Sequence, residues 1–133
     1  MSTRREARER ALGLCYELEV RNVGAGELLE SLPAPPDEYA ETLVRGVDEH
    51  REEVDALLRK YSEHWALERM PVVDRAILRI GCFELGWCPD LSTGTVISEA
   101  VDLAKQYSTK DSGRFVNGLL AGIAERLRAP ERA

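Results

Sequence analysis

The chain has 133 residues, of which 44% are apolar, 32% charged and 6% aromatic. That size and balance exclude a disordered chain and fit one domain, residues 1–133, with an aliphatic core. A net charge of −6 excludes a protein that coats nucleic acid by bulk electrostatics, though not one with a local basic patch.

The first helix is expected to start at Ser2 or Thr3 as N-cap, with Glu6 as the capping-box partner of Thr3. Ala7, Ala11, Leu14, Cys15 and Leu18 then form an apolar stripe at helical spacing. The helix should stop near Asn22–Gly24, with Gly24 or Gly26 as the breaker. A short helical stretch fits residues 26–32, and Pro33, Pro35 and Pro36 mark a connection that no helix can cross. From Asp37 to Tyr61 two stripes follow, Tyr39–Leu43–Val44–Val47 and Val54–Leu57–Leu58–Tyr61. Gly46 and Asp48 predict a break between them.

The segment Pro71–Cys88 is apolar on two sides and is therefore expected to be central. Val72, Val73, Ala76, Ile77, Ile80, Phe83 and Trp87 share one face, and Leu78 and Leu85 lie nearly opposite. Pro71 suits the first helical position. Asp74, Arg75, Arg79 and Glu84 are isolated charges on this helix. Either they pair with one another, or they stand where the helix meets something outside the domain. Pro89 ends the helix and residues 90–94 form a loop. Thr95–Tyr107 is helical again, and Asp111 or Ser112 is expected to cap a last helix with Phe115, Val116, Leu119, Leu120, Ile123 and Leu127 facing inward. No segment alternates with period two, so the fold class is all-α, with about seven helices.

Three cysteines in apolar contexts, Cys15, Cys82 and Cys88, read as reduced, buried thiols of a cytoplasmic protein. No signal peptide or membrane-length apolar run is present in the sequence. His50 and His64 lack ligand spacing with the cysteines, and no nucleotide-loop or nucleophile motif occurs. No enzyme, cofactor or metal is therefore expected.

Two stretches carry candidate chemistry. In RREARER, Arg4, Arg5 and Arg8 fall within about one third of a helical wheel. Such a cluster suits phosphates or base edges, and cations at a helix N-terminus oppose its dipole. The alternative is an ordinary solvated helix end, with Glu6 pairing to Arg10. In KQYSTKDSGRF, Lys105, Lys110 and Arg114 are interleaved with Tyr107 and Phe115 around a helix start. The alternative there is a plain helix–loop–helix joint. Gly118 and Gly122 read as positions of close helix packing rather than chemistry.

Taken together, RREARERALGLCYELE, VVDRAILRIGCFEL and ISEAVDLAKQYSTKDSGRFVNGLL resemble the bacterial transcription antitermination factor NusB family, from about Arg4 to Leu127. The region Gly24–Glu38 is not diagnostic and looks short for that family. The resemblance implies an all-helical fold of two packed subdomains that binds rather than catalyses. It implies that the chain joins NusE, a small-subunit ribosomal protein, on the boxA element of nascent rRNA transcripts, within the RNA polymerase antitermination complex. Carried onto this sequence, the RNA-binding residues are Arg4, Arg5, Arg8, Asp111, Ser112 and Phe115, and the basic Lys110 and Arg114 of the same stretch are added from the residue pattern. Glu6 stands where the family pattern often has a basic residue. Asp74 and Glu84, with Arg75 beside them, fall where the family presents charges to the basic NusE. The competing expectation is a helical oligomerisation module, including a homodimer that hides the arginines.

Overall fold

The computed structural model describes residues 3–63 and 65–128, and His64 lies outside them. Seven α-helices are present among the described residues: α1 (Arg4–Arg21), α2 (Ala25–Ser31), α3 (Glu38–Glu49), α4 (Arg51–Tyr61), α5 (Val72–Trp87), α6 (Thr93–Tyr107) and α7 (Lys110–Leu127). A 3₁₀ turn, Leu67–Arg69, leads into α5. Helices α1–α3 pack as one group and α4–α7 as another, and α5 touches both. No helix among the described residues is long and apolar enough to cross a membrane.

The position of α5 follows from its composition. Residues 76–85 are all buried, and their side chains meet α1, α3 and α4 as well as α6 and α7. Ile77, Leu78 and Ile80 are almost wholly inaccessible. Each such side chain contributes about 1.5–3 kcal/mol by leaving water. Val72, Val73 and Trp87, at the helix ends, are half-buried. Pro71 is the N-cap rather than the first helical residue, and its extended ψ of 143° delivers the chain from the preceding turn.

Local signals set several ends differently from expectation. Thr3 and Glu6 form the capping box of α1, the Thr3 side chain accepting from the Glu6 N–H and the Glu6 carboxylate from the Thr3 N–H. This leaves Glu6 as a cap rather than an Arg10 partner. The left-handed residue that ends α1 is Asn22, φ 55°, and not a glycine. Gly24 instead precedes α2, whose Ala25 N–H donates to the Asp48 carboxylate. The break after α3 lies at His50, not at Gly46. The His50 ring stacks on Trp87 with centroids 4.4 Å apart, which holds the turn against α5. Gly46 stays helical because the Phe83 ring fills the place of its side chain: a Cβ there would lie 2.1 Å from Phe83 Cζ. Helix α7 is capped by Thr109, whose hydroxyl accepts from the Ser112 N–H, rather than by Asp111 or Ser112. Helix α6 starts two residues earlier than expected, on a Ser92 cap. Gly122 packs on Tyr61, whereas Gly118 faces open space and Leu127 is exposed.

Cys15 and Cys82 are buried free thiols, and burial pushes both up to about 12. Cys88 is partly accessible.

Candidate nucleic-acid interface

The basic start of α1 does not present three equal guanidinium groups. Helical geometry turns Arg4 and Arg5 outward and Arg8 inward, and the inner position is satisfied by charge. Arg8 is 3% exposed. Its Nε donates to Glu84 at 2.9 Å and its Nη1 to Glu99 at 3.3 Å. Its Nη2 is buried and has no hydrogen-bond partner. The Tyr39 hydroxyl donates to the same Glu84 carboxylate. Burial pushes Glu84 above the usual carboxylate range, against the opposing hydrogen bonds from Tyr39 and Arg8. Burial, followed by the neighbouring Glu84, raises the Tyr39 phenol.

The outer two arginines differ from one another. Arg4 is exposed and lies 3.8 Å over the Tyr39 ring, at a cleft of about 620 Å³ shared with Trp87, Cys88 and Asp90. Arg5 is half-exposed and donates through Nη2 to Glu99 at 2.6 Å and to Asp102 at 2.7 Å. Those hydrogen bonds hold the Arg5 charge firmly. A third tie, from the Tyr107 hydroxyl to Glu9 at 2.8 Å, completes a seam between α1 and α6.

The start of α7 divides in the same way. Lys110, Asp111 and Arg114 are exposed and, with Lys105 and Asp102, line a groove of about 790 Å³ between α6 and α7. Ser112 and Phe115 do not reach it. Ser112 is buried and donates to Asp74 at 2.8 Å, and Phe115 packs edge-on to Trp65 with centroids 5.1 Å apart. Because Asp102 touches both Arg5 and this groove, the outer face of α6 joins the two basic stretches that are far apart in sequence.

The charges of α5 turn inward, which corrects the expectation that they meet an outside partner. Asp74 is 0% exposed and accepts from Ser108 and Ser112, tying α5 to the α6–α7 turn. Glu84 is 1% exposed and belongs to Arg8 and Tyr39. Arg75 is clamped by Glu19 at 2.7 Å and donates to the carbonyls of Leu67, Glu68 and Met70. Arg79 is buried between Asp55 and Glu19. Burial would raise Glu19, but hydrogen bonds from Arg75 and Arg79 outweigh it and hold the carboxylate low. Asp74→Lys is therefore expected to remove the buried acceptors of two hydroxyls and to damage the fold.

Sequence reasoning missed Tyr39, Glu99 and Asp102. Glu99 and Asp102 are three apart and share a helix face. Nothing local shows that α1 lies against that face, since the partner residue is 94 to 97 positions away.

The family profile described as the NusB family matches residues 5–125. The chain belongs to the NusB family. A transcription antitermination protein NusB of Thermobifida fusca is 48% identical over 128 residues, covering 93% of this chain and 90% of that protein. The solved structure of T. maritima NusB superposes with a TM-score of 0.84 at 35% identity, covering 97% of this chain and 94% of that one. A crystal structure of the antitermination factors NusB and NusE in complex with dsRNA matches with a TM-score of 0.79 at 33% identity, covering 92% of this chain and 96% of that one. In this NusB family member, then, the outward cations at the α1 and α7 starts are Arg4, Arg5, Lys110 and Arg114, while Arg8 is buried.

Proposed function

We propose that this chain is a transcription antitermination factor of the cytoplasm, acting by binding and without catalysis. With the ribosomal protein NusE it engages the boxA RNA of nascent rRNA transcripts and helps RNA polymerase continue through the operon and the rRNA to mature. The observation that supports this most directly is the likeness, over nearly the whole fold, to a NusB solved with NusE and dsRNA. The geometry adds a reason for modest affinity by this chain alone. At the starts of α1 and α7 four outward cations stand on a chain of net charge −6, and one of them, Arg5, is already paired. Affinity then depends on a second RNA-binding surface supplied by NusE, which makes one of the two contacts intramolecular. Unpaired bases fit this scheme best, because duplex RNA hides its major-groove edges.

The test is a titration of boxA RNA against the chain alone and with NusE. Scrambled and duplex RNAs of equal length serve as controls. The expected result is weak, salt-sensitive binding alone and a marked gain for single-stranded boxA with NusE. Equal binding of boxA and scrambled RNA by the mixed proteins overturns the reading.

A further inference from the structure

We propose that Glu99 and Asp102 of α6 act as a built-in competitor for RNA: in the free protein they occupy the Arg5 guanidinium, and backbone phosphate must displace them. The inference rests on the RNA-binding reading above and names how that same surface is regulated.

Three arginines within one turn and a half of α1 have three different fates. Arg8 is locked, its side chain 4% exposed against a 2% exposed Glu84. Exchange there requires opening the core. Arg4 stands over an aromatic ring in an open cleft. Arg5 is intermediate. Its side chain is 51% exposed, and its partners Glu99 and Asp102 are 19% and 43% exposed. Both ion pairs are therefore reachable from solvent and can exchange without unfolding.

The chemistry of exchange is matched. A guanidinium fork recognises carboxylate and phosphate oxygens by the same planar donor geometry. Two carboxylates at contact distance are present at very high local concentration, so a stray phosphate replaces them poorly. A strand held at several points replaces them well. The displaced acids are not left without cations. Glu99 keeps its contact with Arg8 Nη1, and Asp102 already lies in the groove that holds Lys105, Lys110 and Arg114. The arrangement gives up affinity for every polyanion and so favours the RNA that other contacts also hold.

Asp102→Asn is the informative variant, because the ion pair it breaks is with Arg5. Glu99→Gln also disturbs Arg8 and serves as a second variant. RNA affinity is measured over a salt series for the parent, D102N, R5A and the double variant, with thermal melts confirming that each is folded. In the parent background D102N is expected to raise affinity roughly two- to fivefold, the size of one exposed ion pair. The gain should be larger for scrambled RNA than for boxA, and the salt slope steeper by about 0.7, one single-strand phosphate. In the R5A background the gain should vanish. An equal gain with and without Arg5 overturns the competitor, since it reports a general change of charge. So does a parent that binds RNA while D102N binds no tighter. A parent that binds no RNA, either alone or mixed with NusE, overturns both this inference and the function beneath it.

Discussion

Arg8 carries a full charge at 3% exposure, and burying a charge is favourable only when a partner and hydrogen bonds replace water. Glu84, Glu99 and the Tyr39 hydroxyl on Glu84 supply them. Removing one member strands the other. Arg8→Ala is therefore expected to cost about 3–5 kcal/mol in urea denaturation. Any loss of RNA binding in that variant is secondary to the fold. Arg4→Ala removes an exposed cation over a ring and should cost at most about 1 kcal/mol, while lowering the RNA salt slope by about 0.7. The two variants separate a buried, paired arginine from an exposed one. An Arg8→Ala protein as stable as the parent refutes the buried-pair account.

At the scale of helices, two glycines show how much of the architecture was legible. Gly13 sits inside α1 with nothing within 4 Å of where a Cβ would stand, and Gly46 sits inside α3 against the Phe83 ring. Gly13→Ala is expected to stabilise by about 0.5–1 kcal/mol, since helical glycine is entropically costly. Gly46→Ala is expected to destabilise by about 1–3 kcal/mol through overpacking. Thermal or urea melts check both, and opposite signs are the required outcome. From sequence, Gly46 read as a break because a local rule cannot tell a bend from a close approach by a ring 37 positions away. Periodic apolar stripes did place six of the seven helices, α2 being expected only as a short helical stretch, because burial of one face is a short-range pattern. Terminal caps were legible where both partners are local, as at Thr3 and Glu6. They were missed where several hydroxyls compete, as among Ser108, Thr109 and Ser112. The same distinction governs the candidate interface. The basic runs were visible as runs. Which arginine is free, paired or buried depends on α3, α5 and α6, and no spacing within α1 encodes that. The inward charges of α5 were misjudged for this reason: their side-chain partners lie 24 to 76 positions away in sequence.

For the molecule as a whole, the ionic ties predict a pH profile with two limbs. Glu19 is held below the usual carboxylate range, as are the exposed capping Glu6 and Glu68 beside Arg59. A carboxyl group lowered on folding contributes fully above its unfolded value, near 4.5, and loses that contribution as pH falls through the folded value. Glu84 is raised by burial, so its sign is opposite. Its penalty grows as pH rises from 4.5 through its folded value and is absent below that window. Stability should therefore rise as pH falls through the folded Glu84 value toward 4.5 and then fall below 4.5. Urea midpoints across that range check the profile. Glu84→Gln is expected to flatten the upper limb and Glu19→Gln the lower one, and a profile unchanged by either variant refutes the assignment.

The placement of the thiols has a practical consequence. Cys15 and Cys82 are enclosed and hard to deprotonate, whereas Cys88 opens onto the cleft that holds Arg4 and Tyr39. Burial raises the Cys88 thiol too, so coupling there is slower than at an open surface cysteine. Given time near neutral pH, where amines stay protonated, a maleimide dye is expected to mark that one native position without mutagenesis, and its emission becomes a reporter stationed beside the basic end of the first helix.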